Sequence, residues 1–228
     1  MIIVLNNKSN FTKEEFNNYL VELKKVNTDF PMILCPTFMN IPLVDSNEFI
    51  LASQDVSPYE DGSHTGEVSA RQLKDLGVKY SLVGHSERRE FESEEELYLE
   101  IKQLFKENLI PILCIGETKE ERDNNLVKEV LNKQLENVVN KLEEQEKLII
   151  AYEPVWSIGT GIIPSNEEIE EVLTYIKSYL PNTKILYGGS VNEENIDTLK
   201  EISLVDGYLL GGLSLDPKRL QKFLDKLK

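Results

Sequence analysis

The sequence predicts an α/β protein folded as a single closed (β/α)8 barrel, and three observations lead there. Short apolar runs alternate with amphipathic segments along the whole chain, the alternation that builds parallel βαβ units. The 228 residues divide into eight such units of about 28 residues each, a barrel-sized repeat that leaves little room for a second domain. No Pro/Gly/Ser-rich linker or low-complexity stretch interrupts the chain, so residues 1–228 read as one domain. An open doubly wound sheet is the rival arrangement of the same elements.

The elements follow in order. Ile2–Leu5 is the first candidate strand. Thr12 and Glu15 then form a capping box, and Phe16, Leu20, Leu23 and Val26 place an apolar stripe on the helix behind it. Met32–Cys35 is the second strand. The segment after it, Met39–Asp45, contains Pro42 and predicts only a turn or two of helix. Phe49–Ser53 is the third strand and leads into a long polar loop, Asp55–Glu67. Tyr80–Val83 is the fourth, followed by a Ser93…Glu96 capping box and a stripe of Leu97, Ile101, Leu104 and Phe105. Ile110–Ile115 is the fifth, and Leu126, Val130, Leu135, Val138 and Leu142 predict one long helix after it. Leu148–Tyr152 is the sixth, with a third capping box at Ser165…Glu168 and a stripe of Ile169, Leu173, Ile176 and Leu180. Lys184–Tyr187 and Gly207–Leu210 complete the set. Several runs are apolar throughout, as strands covered on both faces are.

Charge narrows the partners. Lys and Arg number 25 against 40 Asp and Glu, a net charge of −15. Such a chain repels phosphodiester backbones and anionic lipid heads, so neither nucleic acid nor a membrane is an expected partner. An anionic ligand would need a local positive site. Met1–Leu5 lacks a preceding basic region and turns polar at Asn6, which fits a buried strand and not a signal peptide or a membrane span. Cys35 and Cys114 lie far apart, and reduced thiols in a cytoplasmic protein are the expectation. The Asn-X-Ser/Thr matches at Asn7 and Asn10 then read as chance.

In a barrel, chemistry sits at the C-terminal ends of the strands. The residues just past the candidate strands are Asn6-Asn7-Lys8, Gly84-His85-Ser86-Glu87, Glu153-Pro154-Val155-Trp156 with Ser157-Ile158-Gly159-Thr160-Gly161, Gly188-Gly189-Ser190, and Gly211-Gly212. One Lys, one His and one Glu thus converge among glycine-rich turns. Turns after the seventh and eighth strands commonly bind phosphate through backbone N–H groups. Each piece alone has a plain reading: Lys8 as a solvated side chain, Glu153 as a loop carboxylate, Trp156 as a surface anchor, Cys114 as core. His64, in a polar loop, reads as structural, whereas His85 follows a buried strand. Other chemistries fail. Pro164 stands where a dinucleotide fingerprint needs its third glycine, and there is no mononucleotide P-loop or Gly-x-Ser-x-Gly elbow. Two distant histidines without paired cysteines make a zinc site a poor reading, and no metal is expected.

Taken together the segments resemble the triosephosphate isomerase family over nearly the whole chain. They are Asn6-Asn7-Lys8-Ser9-Asn10, Gly62-Ser63-His64-Thr65-Gly66-Glu67, Val83-Gly84-His85-Ser86-Glu87-Arg88-Arg89, Cys114-Ile115-Gly116-Glu117, Ala151-Tyr152-Glu153-Pro154-Val155-Trp156 through Gly161, Tyr187-Gly188-Gly189-Ser190-Val191, and Asp206–Gly212. The resemblance implies a TIM barrel that interconverts dihydroxyacetone phosphate and glyceraldehyde 3-phosphate through an enediol(ate), in glycolysis and gluconeogenesis, without metal or organic cofactor. It implies Glu153 as base, His85 as electrophile, and Lys8 as substrate ligand and charge stabiliser. Asn6 would hold substrate oxygens, and backbone at Gly159, Ser190, Gly211 and Gly212 the phosphate. Ile158 on a lid and Leu209 would supply an apolar clamp about Glu153. The loop Asp55–Glu67 would insert into a second copy of the chain near Asn6 and Lys8, giving a homodimer, with a Glu67–Arg88 ion pair at its base. The alternative is a non-catalytic barrel that binds phosphometabolites. Departures are Asn7 where the family usually has Trp, Ser9 where it has Met, Ile162-Ile163-Pro164 where the lid usually continues Lys-Thr-Ala, and a shorter passage into the seventh strand.

Overall fold

The computed structural model describes residues 1–228, the side chain of Asn137 apart. Eight parallel strands close into a barrel in chain order: β1 Ile2–Asn6, β2 Met32–Cys35, β3 Ile50–Ser53, β4 Val78–Val83, β5 Ile110–Ile115, β6 Ile149–Tyr152, β7 Lys184–Tyr187 and β8 Gly207–Leu210. The barrel shuts where Val4 and Leu5 of β1 face Leu209 and Leu210 of β8. An open sheet is thereby excluded.

The outer ring holds α1 Lys13–Leu23, α2 Ala70–Asp75, α3 Glu94–Lys106, α4 Lys119–Asp123, α5 Val127–Val139, α6 Asn166–Tyr179, α7 Ile196–Leu199 and α8 Pro217–Leu227. The capping boxes at Thr12/Glu15, Ser93/Glu96 and Ser165/Glu168 form as expected. Two more, Ser69/Gln72 and Thr118/Glu121, start α2 and α4. The segment around Pro42 is the short 3-10 turn Ile41–Leu43. The long helix expected from Leu126 to Leu142 is α5, and the short α4 ahead of it is set apart at Asn125, whose φ of 59° leaves the helical region. Leu126 caps α5 and is exposed, and the buried stripe runs through Leu131, Leu135 and Val138 to Leu142 beyond the helix end.

Alternation along the strands sorts two cores. Val4, Ile33, Cys35, Ala52, Leu82, Ile112, Cys114, Ile149, Ala151, Leu186 and Leu209 fill the barrel interior. Their neighbours, such as Ile3, Leu5, Leu113, Tyr152 and Tyr208, pack outward against the helices. The same two-residue period carries past the strand ends. Asn6 lies two after Val4, Glu153 two after Ala151, Gly188 two after Leu186 and Gly211 two after Leu209, so the inward rows continue into the mouth. Both cysteines are buried and free. Among the described residues no helix is long and apolar enough to cross a membrane.

Candidate active site

The mouth holds a cleft of about 370 Å³ whose walls include Asn6, Lys8, His85, Glu153, Gly159, Ser190, Gly211 and Gly212. All eight site residues expected from sequence therefore share one cleft, and Ile158 and Leu209 line it with them.

Glu153 is held by backbone geometry. Its N–H donates to the Ile115 carbonyl at 2.8 Å, and it is only 3% exposed. Two glycines make room for it. A Cβ at Gly116 would lie 1.8 Å from the Glu153 carbonyl oxygen, and one at Gly188 would lie 2.7 Å from its Cγ. Oε1 comes within 3.5 Å of His85 Nε2, while Oε2 is buried without a hydrogen-bond partner. Burial raises the pKa of Glu153 above the ordinary carboxylate value; the nearby His85, the Cys114 thiol and Lys8 offset that only in part.

His85 follows Gly84, whose φ of 64° turns the chain out of β4. The N–H of Glu87 donates to His85 Nδ1 at 3.2 Å, and the N–H of Arg88 donates to the His85 carbonyl at 2.7 Å. With Nδ1 accepting, the proton of a neutral ring sits on Nε2, which faces Glu153. Lys8 reaches the same side. Its backbone is left-handed, with a φ of 51°, and is pinned at both ends. Its N–H donates to Asn6 Oδ1 at 3.0 Å and its carbonyl accepts from Gln54 Nε2 at 2.8 Å. Its ammonium pairs with Glu87 Oε1 at 2.5 Å. Asn7 is fully buried and its Nδ2 lies 3.3 Å from both Tyr19 Oη and Ser214 Oγ, so it ties the end of β1 to α1 and to the turn after β8. Ser9 is exposed and lines a cleft that opens beside the site.

On the opposite wall, Gly212–Leu215 is a 3-10 turn that opens at the end of β8. The N–H groups at the start of such a turn have no partner within it and are free for an anion. The lid is tied to the loop after β7. Ser190 Oγ donates to the Ser157 carbonyl at 2.5 Å, the Ser190 N–H donates to Ser157 Oγ at 3.1 Å, and the Gly161 N–H donates to Ser190 Oγ at 3.1 Å.

Two participants were given no role from sequence: Glu117, although it lies in a family-like segment, and Gln54. Glu117 is fully buried and accepts from Arg122 Nε at 2.7 Å, Trp156 Nε1 at 3.0 Å and Tyr152 Oη at 3.2 Å. Trp156 is thus a half-buried post for the lid and not a surface anchor, with the Arg122 guanidinium 5.3 Å from its ring centre. Gln54 bridges the carbonyls of Lys8 and Cys35. The Glu67–Arg88 pair is a further correction: Arg88 pairs with Asp55 at 2.9 Å and Glu92 at 2.6 Å, and Glu67 is exposed. His64 is exposed and stacks on Tyr59 with ring centres 4.1 Å apart.

A buried carboxylate facing an imidazole, with a lysine beside them and an N–H-rich wall opposite, suits proton transfer on a small anionic substrate. The fold and the mouth define a barrel protein of that class. The triosephosphate isomerase family model matches residues 1–227. The chain is 41% identical to the triosephosphate isomerase of Mycoplasmopsis agalactiae over 92% of this chain and 86% of that protein. It is 38% identical to that of Mesomycoplasma hyopneumoniae over 98% of each, and 40% identical to that of Thermodesulfovibrio yellowstonii over 84% and 83%. The chain belongs to the triosephosphate isomerase family.

Proposed function

We propose that the chain is a triose-phosphate isomerase, interconverting dihydroxyacetone phosphate and D-glyceraldehyde 3-phosphate by moving a proton between adjacent carbons. The observation that carries this reading is the approach of Glu153 to His85 Nε2, 3.5 Å, in a cleft that also holds Lys8 and the turns at Ser190 and Gly211-Gly212. The family and the names of the relatives support it. Glu153 takes the proton from the hydroxyl-bearing carbon and returns it to the neighbouring one. Desolvation makes it a stronger base than a carboxylate in water. Nε2–H of His85 and the ammonium of Lys8 stabilise the negative oxygen of the enediol(ate), as preorganised charge does most economically in a dry site. Asn6 holds substrate oxygens, and backbone at Gly159, Ser190, Gly211 and Gly212 takes the phosphate. Ile158 and Leu209 keep water from the carboxylate. No step calls for a cofactor. The alternative of a non-catalytic binding barrel finds no support, since each reactive group is present and faces the cleft.

A coupled assay in both directions, run beside phosphoglycolate binding, tests the reading. Turnover of both triose phosphates is expected. Inhibitor binding without turnover would return the protein to the binding-barrel class.

The working unit in this reading is a cytoplasmic, single-domain chain paired as a homodimer. The arm Asp55–Glu67 stands exposed from Tyr59 to Glu67. A second cleft of about 370 Å³, lined by Lys8, Thr37, Gln54, His85 and Glu87, opens beside the active site with room for a partner's Thr65. Met39 and Phe91, 87% and 74% exposed, lie on the loops after β2 and β4, which flank the arm. Covering those apolar groups would favour pairing.

A further inference from the structure

Behind the mouth, where the arm leaves β3 and the chain approaches α3, three carboxylates converge. Asp55, Glu92 and Glu100 each place an oxygen within 4.8 Å of the others. None of them lines the active-site cleft. Instead they border a separate cavity of about 380 Å³, together with Arg88, Glu67 and Glu96.

Glu100 makes this cluster unlike a solvated acidic face. It lies on the inner side of α3, is 1% exposed, and its Oε2 has no hydrogen-bond partner. Glu92 Oε2 is likewise buried and without a partner. Arg88 is the one basic residue lining the cavity. It is already engaged, with Nη2 2.9 Å from Asp55 Oδ2 and 2.6 Å from Glu92 Oε1, and it leaves Glu92 Oε2 and Glu100 Oε2 unmet. Three carboxyl groups share one guanidinium, and burial, with Glu92 and Asp55 beside it, raises the pKa of Glu100 to about 10, so its charged form is one that a cation would have to stabilise. Every donor is oxygen, which selects a hard cation over Zn²⁺ or Cu²⁺. The cavity has space for the waters that such an ion keeps when the protein supplies only part of its shell.

We propose that Asp55, Glu92 and Glu100 bind one hard divalent cation, of the Mg²⁺ or Ca²⁺ class, which fastens the base of the Asp55–Glu67 arm to the start of α3. The site is structural: Asp55 also borders the cleft beside Lys8 and His85, but none of the three lines the cleft where the proton moves. It would set how firmly the arm is held, not how the carbons exchange their proton.

The test uses the full chain, stripped with EDTA, exchanged into chelator-free buffer, and titrated separately with MgCl2, CaCl2 and MnCl2 by calorimetry and by thermal melting. One ion per chain should bind and raise the melting temperature. The cation that binds tightest distinguishes a small octahedral site from a larger irregular one. Glu100→Gln keeps the shape but cannot ionise on binding a cation, so it should weaken binding at least about tenfold. Its metal-free melting temperature should not fall, because Gln, unlike Glu100, needs no proton taken up on burial. Glu92→Gln gives a second variant should the first fold poorly. No heat and no melting shift with any of the three ions up to about 10 mM, above the weakest protein Ca²⁺ sites, would overturn the proposal. Binding of equal strength in wild type and both variants would also overturn it, by placing the ion elsewhere. These readouts need no turnover, so they stand or fall independently of the isomerase reading.

Discussion

Burial of Glu153 acts in two directions. It raises the proton affinity of the base, which the chemistry needs, and it costs folding stability whenever the group is ionised. The sign follows from linkage. A carboxyl whose folded pKa lies above its unfolded value, near 4.3, holds its proton more tightly when folded. It therefore takes stability away as pH climbs from that unfolded value through the raised one. Glu153→Gln keeps the shape without the charge. Its kcat should fall by about 10²–10⁴ while phosphoglycolate still binds. Its melting temperature should exceed wild type by about 2–4 °C at pH 7–8 and converge with it below about pH 4. A near-normal kcat, or a melting difference that grows in acid, would contradict the role given to the residue. Asn7 shows the opposite kind of fit. It is small, fully buried and bonded to Tyr19 and Ser214, so the space a larger residue would need is already closed. Asn7→Trp, the family's usual residue, should cost about 1–3 kcal/mol in urea unfolding, because overpacking has no room to relax. A neutral effect would mean that the floor beneath Lys8 is softer than its contacts imply.

At the scale of elements, the barrel was legible because its strands are continuous apolar runs, whose ends the sequence marks within two residues. The capping boxes were legible for an equally local reason, a hydroxyl and a carboxylate three residues apart. The short α4 ahead of α5 went unread because none of its residues is buried to make an apolar stripe, and Asn125, left-handed but not glycine, separates the two helices. Gln54 escaped notice, and Glu117, though part of a family-like segment, was given no role, because their bonds join segments distant in sequence and no local pattern encodes such a contact. Arg88 was given the wrong partner because Asp55 is distant in sequence and because Glu92, four residues on, was not weighed as a local one. The lid is the element where sequence and geometry combine. Ile163 packs against the core, Pro164 is buried, and Ser157 Oγ donates to the Ile162 carbonyl at 2.7 Å. Proline fixes its own φ and biases Ile163 toward extended backbone, so this hinge has fewer conformations to visit than Lys-Thr-Ala would. Replacing Ile162-Ile163-Pro164 with Lys-Thr-Ala should move kcat and KM together, since lid motion governs both capture and release. Steady-state kinetics at several viscosities would read this. Unchanged values throughout would show that the hinge residues do not govern the lid.

At the scale of the whole molecule, a chain of net charge −15 must draw an anionic substrate into a cleft whose lysine and arginine are Lys8 and Arg219. It must also associate with a second copy carrying the same excess. The proposed dimer therefore sets short-range fit against long-range repulsion. Short-range fit comes from the exposed arm, the cleft beside Lys8 and His85, and the apolar Met39 and Phe91. The repulsion is screened by salt, whose Debye length shrinks from about 30 Å at 0.01 M to about 8 Å at 0.15 M. Sedimentation should accordingly show a dimer that tightens as NaCl rises over that range, the reverse of an interface held by complementary charge. Specific activity should fall on dilution into monomers, because Lys8 and His85 lose the wall that the partner's arm would supply. Thr65→Arg, a long charged side chain at the tip of that arm, should shift the equilibrium toward monomer and lower kcat in proportion to the monomer formed. A monomer with full activity at assay concentration would refute the dimeric unit and leave the isomerase reading in place. A dimer that weakened with salt would keep the assembly but assign it to ion pairs instead of buried apolar surface.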